Sequence, residues 1–350
     1  MSTGAWKTCG VTTGGTAYCW GFNNSGELGN GTTTSSTTPV AVSGGLTFGS
    51  VSSGGFYTCG VTTGGAAYCW GLNRSGQLGN GTMTSSATPV AVSSPLTFAS
   101  MSAGAVSFEG TAHTCGLTPG GAAYCWGNNG SGELGNGTTT SSTTPVAVSG
   151  GLTLASVSAG FGHTCGVTTG RVPFCWGSNG AGQLGDGTTT SSTTPVAVSI
   201  GLTFASVSAG IFHSCGVTTG GAAYCWGNNE HGEIGNGTTI PRTTPTAVTG
   251  GLTFASVSAG GSETCGVTTG GAAYCWGSNG VGQLGNGTTT SSTTPVAVSG
   301  GLTFASVSAG VHTCGVTTGG ATYCWGWNNY GQLGNGTMTS SSTPVPVSSP

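Results

Sequence analysis

Short bursts of apolar and β-branched residues alternate with Gly-, Ser- and Thr-rich stretches along the whole chain. One cycle reads LTFASVSAG, then HTCGVTT, then AAYCWG, then a long polar loop, then TPVAVS. Each apolar piece is short and rich in Val, Phe, Tyr, Trp and Thr, and Gly or Pro punctuates every junction. That is the pattern of strands and turns. No helical periodicity survives the glycines. Each cycle therefore predicts four strands, called A to D in chain order.

The cycle repeats seven times, and its clearest marker is a pair of cysteines. Cys9 pairs with Cys19, Cys59 with Cys69, Cys115 with Cys125, Cys165 with Cys175, Cys215 with Cys225, Cys265 with Cys275 and Cys314 with Cys324. Successive pairs lie 50 residues apart, except that the third repeat gains six residues within Ala105–Ala112 and the seventh loses one before His312. Seven four-stranded units with no linker between them predict an all-β, seven-bladed propeller, residues 1–350 forming one domain. Small residues alternating with large ones suit blades that pack face to face. Met1–Gly4 aligns with the end of a strand A, so blade 1 is expected to lack the first half of that strand. The C-terminal VSSP matches Val92–Pro95, which precedes LTFAS. The missing half is expected from flanking sequence or from another chain, because an unpaired edge invites strand addition.

Composition narrows the function. Charged residues make up 3% of the 350, glycine fills 72 positions, and net charge is −3. Such low charge with abundant Gly can mark disorder, but 35% hydrophobic residues and regularly spaced tryptophans favour a packed fold. Without a basic run, the electrostatic term behind nucleic-acid binding is missing. No apolar stretch approaches the roughly 18 residues of a membrane span. MSTGAWKTCG has no apolar signal-peptide core, and a start in mid-repeat suggests a mature or trimmed segment.

Each cysteine pair is expected to face across the B–C hairpin as one disulfide per blade. Cys9 and Cys19 each stand four residues outside the loop Thr13–Gly15, which can bring them to disulfide distance. Zinc prefers closer cysteine spacing and four converging ligands, whereas one pair per blade is dispersed around a ring. Free buried thiols are the other alternative. Seven regular pairs point to an oxidising compartment.

Variation between repeats concentrates in the A–B and C–D connections, which a meander places on one face. The candidate binding patch there is Trp6, Phe22, Phe56, Tyr57, Leu72, Arg74, Phe108, Trp327 and Tyr330, mostly from blades 7, 1 and 2. Lys7, the Glu109 insertion, Phe161, Phe212, Glu230, His231 and Glu263 vary in the same connections. Exposed aromatics are the material of interfaces; the alternative is that tolerant loops merely cap the blade ends. The tryptophans that follow each second cysteine, such as Trp20 and Trp70, read as blade packing. His113, His163, His213 and His312 share a repeat position with Lys7, Tyr57 and Glu263. This mixture favours ordinary hydrogen-bonded histidines over a metal ring. The GQLGNG segments lack the Lys and helix of a phosphate loop and read as turns. Glu27, Glu133 and Glu233 replace its Gln and read as solvated or turn-bonded. With no paired acids or Ser/His/Asp set, no catalytic residue, cofactor or metal is expected.

N-x-[ST] occurs at Asn30, Asn80, Asn136, Asn236, Asn286 and Asn335, and again at Asn23, Asn73 and Asn129. These are candidate glycan acceptors in a secreted eukaryotic chain. The other reading of the first six is support for a left-handed turn.

The recurring H-T-C-G-V-T-T-G-G-x-x-Y-C-W-G-x-N-x-x-G-Q-L-G-N-G resembles the repeat of the regulator of chromosome condensation family. The resemblance covers nearly the whole chain seven times and implies a seven-bladed propeller. It leaves function open, since members include a nuclear nucleotide-exchange factor, a plant ultraviolet photoreceptor and a secreted β-lactamase inhibitor. Paired cysteines and scarce charge depart from the nuclear member and are closer to secreted or surface bacterial repeat proteins. The expected function is a non-catalytic secreted or cell-surface module that binds a protein or glycan through the A–B/C–D face. The second expectation is a structural protein forming oligomers or filaments through the blade 1 edge. An intracellular exchange or chromatin-binding role ranks third and an enzyme fourth.

Overall fold

A computed structural model describes residues 1–105 and 111–349 as seven antiparallel sheets of four consecutive strands. The first holds β1 (Ser2–Thr3), β2 (Lys7–Val11), β3 (Ala17–Gly21) and β4 (Ser36–Ala41). The second holds β5 (Phe48–Ser53), β6 (Tyr57–Thr62), β7 (Ala67–Gly71) and β8 (Ser86–Ala91). The seventh runs through Phe304–Ser308, His312–Thr317, Thr322–Gly326 and Ser341–Pro346. The expected propeller with four strands per blade is the observed fold. β1 has two residues where β5 has six. The fourth strands carry Pro39 and its equivalents. Proline is tolerated there because an outer edge strand needs no ladder bond from that nitrogen.

The hairpins explain the cysteine spacing. Cys9 pairs with Cys19 in register, and the Thr12 N–H donates to the Thr16 carbonyl, closing a three-residue loop. The cysteines thus fall on a non-hydrogen-bonded pair, where opposing Cα atoms come closest. The Cα–Cα separation is 4.1 Å and the two are disulfide-bonded. The same bridge joins Cys59 to Cys69, Cys115 to Cys125 and Cys165 to Cys175. It also joins Cys215 to Cys225, Cys265 to Cys275 and Cys314 to Cys324, and no cysteine is free among the described residues. The disulfide reading holds in every blade, and the free-thiol and metal alternatives fall. All of these side chains, Cys69, Cys125, Cys175, Cys225 and Cys324 on the third strands included, are fully buried. Each bridge contributes roughly 2–3 kcal/mol in the chain-entropy account.

The core lies between blades. The blade 1 disulfide and Leu28 pack against Phe48 and Trp70 of blade 2. The Phe48 ring covers Gly60, whose missing side chain leaves the space: a Cβ there would meet the ring at 2.7 Å. Gly29 has φ +70° and backs onto the indole of Trp70, so neither its backbone nor its surroundings admit another residue. Each Trp then donates to the neighbouring loop: Trp70 Nε1 bonds the Glu27 carbonyl at 2.9 Å, and Thr58 Oγ1 bonds the same oxygen at 3.0 Å.

Closure uses the same parts. Trp20 and Thr8 of blade 1 both donate to the Gln332 carbonyl of blade 7. Along the inner strands a serine hydroxyl accepts the next blade's main-chain N–H. Ser52 accepts from Ala103, and at closure Ser308 accepts from Thr3. Two residues of β1 are therefore enough to complete this ring of bonds.

Candidate functional site: an aromatic cluster over the blade closure

In a four-stranded meander the first and third connections emerge on one face. There the structure gathers five of the expected aromatics into one cluster. The Trp6 ring lies 4.7 Å from Phe56, 5.5 Å from Phe22, 5.8 Å from Tyr330 and 6.1 Å from Trp327, centroid to centroid. Phe22 meets Tyr330 edge-on at 5.0 Å, and Trp327 meets Tyr330 at 5.9 Å. Mostly edge-to-face or tilted, these contacts hold the rings in fixed orientations. All five side chains are half-buried, so each keeps part of its surface in solvent. Across the same face, Phe161 and Phe212 form a smaller pair at 5.5 Å. The channel mouth between them is narrow, about 120 Å³, and walled by residues such as Gly54, Gly160, Gly210 and Gly260.

The cluster replaces hydrogen bonds found in other blades. Asn128 Nδ2 donates to Glu133 at 2.7 Å, and Asn228 does the same to Glu233 at 3.1 Å. Ser178 and Ser278 accept from Gln183 and Gln283. Phe22 and Trp327 occupy this same repeat position. Beneath them, Glu27 Oε1 and Gln332 Nε2 are buried with no hydrogen-bond partner in the protein. Burial pushes the Glu27 carboxyl above its usual range, opposed by main-chain donors and by Lys7. Leaving a buried polar atom unpaired costs about 1–3 kcal/mol. Blades 1 and 7 therefore carry aromatic surface at local expense.

Not every expected patch residue belongs. Tyr57 is fully buried, not exposed: its hydroxyl donates to the His113 carbonyl at 2.6 Å and accepts from Gly104 N–H. Its position is the first of strand B, whose side chain points inward under the neighbouring blade. Leu72 is half-buried and Arg74 exposed, in the third connection of blade 2. Phe108 lies outside the described residues. Glu27, Glu133 and Glu233 are turn-bonded, each accepting the N–H two residues earlier, but they are buried and not solvated.

Asn23, Asn73 and Asn129 are fully buried and bond loop carbonyls, so the folded chain cannot present them as glycan acceptors. Asn30 and its five sequon equivalents are half-buried. The left-handed conformations fall on the flanking Gly29 and Gly31, not on Asn30. The Asn30 side chain instead accepts from the Thr32 N–H at 3.1 Å and hydroxyl at 2.9 Å.

Beneath the face lies a ring of buried polar side chains at the start of strand B. Four histidines each reach the next blade. His113 bonds Thr164, His163 bonds Ser214, His213 bonds Thr264 and His312 bonds Thr8, at 2.6–2.9 Å. Each of those hydroxyls spends its proton on a loop carbonyl. The imidazole must therefore donate from Nε2. Burial lowers His113 and His213 to about 4 and His163 and His312 to about 3. Lys7 donates to the Gly54 and Tyr57 carbonyls, and burial lowers it to about 7 against the pull of Glu27. Glu263 differs: Oε2 accepts from the Ser262 N–H, Oε1 has no partner, and burial raises the carboxyl to about 8. Sequence alone missed that this variable position ties blade to blade; its neighbour, an invariant Thr or Ser, was the available signal.

Blades of this hairpin and Gly-rich loop define a propeller of the chromosome-condensation-regulator type. The RCC1-like domain pattern matches residues 108–350, and the Regulator of chromosome condensation (RCC1) repeat matches 14–61 and 64–106. The chain belongs to this RCC1-like family. No curated protein matches it by sequence. Human WBSCR16 has a similar structure: TM-score 0.86 at 20% identity, covering 96% of this chain and 94% of that one. Yeast RCC1 (Prp20), solved bound to Kap60, gives 0.81 at 20% identity over 95% and 83%. The ectodomain of the Arabidopsis thaliana receptor kinase ACR4 gives 0.54 at 20% identity over 98% of both chains. These likenesses concern the fold.

Proposed function

We propose that the chain is a non-catalytic, extracellular or cell-surface binding module, which engages a protein or glycan through the cluster of Trp6, Phe22, Phe56, Trp327 and Tyr330. One observation carries this reading: aromatic rings displace hydrogen bonds to Glu27 and Gln332, leaving buried polar atoms unpaired. A structural cap is already available in the Asn or Ser hydrogen bond of other blades, whereas rigid aromatics at a rim supply contact area at little entropic cost. Seven disulfides support the extracellular setting. So does the ACR4 ectodomain, which shares the fold. In a glycosylating compartment Asn30, Asn80, Asn136, Asn236, Asn286 and Asn335 are the acceptors.

The test is a screen of glycan arrays and displayed peptides with the native protein and with a double variant, Trp6→Ala with Trp327→Ala. Ligands held by the native protein and lost by the variant, with an unchanged melting curve, are the expected result. An identical ligand profile for both proteins would overturn the proposal.

A further inference from the structure

Asn30 precedes Gly31, and the same Asn-Gly pair recurs at Asn80, Asn136, Asn236, Asn286 and Asn335. The turn imposes the glycine. Gly31 has φ +85° and its five equivalents lie between +79° and +84°, a backbone that other residues adopt only at a cost. Space is not the reason, since a Cβ on Gly31 would meet only the Thr88 methyl, at 3.9 Å. An asparagine followed by glycine is chemically labile, because an unbranched neighbour lets the main-chain nitrogen reach the side-chain carbonyl carbon. That nitrogen loses its proton, attacks Cγ and closes a succinimide ring, and the side-chain nitrogen leaves as ammonia. Water then opens the ring to aspartate or isoaspartate.

The loop readies one partner of this reaction and withholds the other. Asn30 Oδ1 accepts from the Thr32 N–H at 3.1 Å and hydroxyl at 2.9 Å, and each equivalent repeats both bonds. Donors on that oxygen draw electrons from Cγ and steady the charge that attack would put there. The nucleophile is held elsewhere. Gly31 N–H donates to the Ala87 carbonyl of the next blade at 2.9 Å. Gly81 is tied to Thr143, Gly137 to Thr193, Gly237 to Thr293, Gly287 to Ser342 and Gly336 to Thr37, at 2.9–3.0 Å. Every one of these acceptors lies on the fourth strand of the neighbouring blade. Burial offers little protection, for the asparagines are half-buried and the glycines exposed.

We infer that these six asparagines are deamidation sites gated by the contact between blades. While two blades touch, the glycine nitrogen keeps its proton on the neighbour's carbonyl. Their separation frees that nitrogen beside an already polarised amide. Blade 4 shows that the product fits. Asp186 stands there in place of asparagine, accepts from the Thr188 N–H at 3.0 Å and hydroxyl at 2.9 Å, and leaves Gly187 bonded to Thr243. Aspartate therefore re-enters the fold, whereas isoaspartate lengthens the main chain by one atom and does not. Each event adds a negative charge to a loop and removes a glycan acceptor. Asn129, Asn179 and Asn279 also precede glycine, but they are fully buried with both ends of the amide bonded, and are expected to react last.

The experiment is peptide mass mapping of the full-length, unglycosylated chain during incubation in mildly alkaline buffer, folded and in denaturant. Conversion in the gated loops is expected to run at least about a hundredfold slower in the folded chain. In the native protein the sites should rank in the order in which their glycine amides exchange hydrogen. Trp70→Phe removes the indole's bond to the Glu27 carbonyl at the junction of blades 1 and 2. Asn30 should then react about fivefold faster, while Asn136 and Asn286 keep their native rates. Equal rates in the folded and denatured chain would overturn the inference. So would a site order unrelated to hydrogen exchange, or a uniform acceleration of every site in Trp70→Phe, which would make global unfolding the gate. Should Trp70→Phe not fold, the hydrogen-exchange order still decides. Asn80→Asp is expected to melt as the native protein does, and a marked loss would overturn the fit read from Asp186. None of these readouts involves the aromatic cluster, so the two readings fail separately.

Discussion

The indole of Trp20 donates at 2.9 Å to the main-chain carbonyl of Gln332, from which it is separated by 312 residues. Thr8 shares that acceptor at 2.9 Å. The six other junctions repeat this pair of bonds at sequence separations of 30 to 49 residues. The ring thus closes by the device that joins its neighbours. Trp20→Phe removes one donor and is expected to cost about 1–2 kcal/mol in chemical denaturation. A loss below a few tenths would show that closure rests elsewhere.

Phe22→Asn should restore the bond that Asn128 makes to Glu133, now from position 22 to Glu27. The expected outcome is a gain of about 0.5–1 kcal/mol, the new bond outweighing the half-buried ring. A loss above about 1 kcal/mol would make the cluster a structural element and weaken its assignment to binding.

Glu263 breaks the ring of ties between blades, and its ionisation gives a distinctive pH signature. Its folded value of about 8 stands above the usual 4.5. The folded state therefore binds more protons between those values, and stability falls as pH rises through that window. Glu263→Gln removes the charge. It is expected to raise the melting midpoint, and to do so more at pH 8.5 than at pH 5, by on the order of 2 kcal/mol. An equal gain at both pH values would place the carboxylate in water. The four histidines act in the opposite sense. Their lowered values make stability rise with pH between about 3 and 6.5. Thermal melts of Glu263→His, which supplies a donor toward Thr313, should show a steeper acid loss than the native protein.

Arg171 has φ 67°, the one non-glycine residue with a left-handed backbone among those described. It stands where the TTGG turns have their second glycine. A side chain in that conformation costs about 1–2 kcal/mol. Arg171→Gly should therefore stabilise by about 1 kcal/mol in urea denaturation. No change would mean that the weak contact of its guanidinium with the Ala205 carbonyl compensates.

All fourteen cysteines are bridged and buried. Alkylation of the native protein should add no label, and reduction in denaturant should expose all fourteen sites by intact mass. Replacing Cys265 and Cys275 together by Ser should cost roughly 2–3 kcal/mol. A smaller cost would show that blade packing alone fixes the hairpin.

Much of this was written in the sequence because the physics there is local and repeated. Strand order, the B–C hairpin and the facing of Cys9 and Cys19 follow from a period of 50 residues and the Thr-Gly-Gly turn. Variation concentrated in two connections pointed to one face, and Trp6, Phe22, Phe56, Trp327 and Tyr330 converge there. What sequence could not decide is which side of a strand end faces solvent. Tyr57 follows Phe56 directly, yet one ring joins the rim and the other is buried beneath the next blade, because successive strand residues point to opposite faces. The sequons divide similarly: Asn23 and Asn30 carry one motif, but only the loop's folded path buries Asn23 among carbonyls. Ring closure is also a tertiary fact: Trp20 and Gln332 lie 312 residues apart, and the indole meets that carbonyl only because the seventh blade stands against the first.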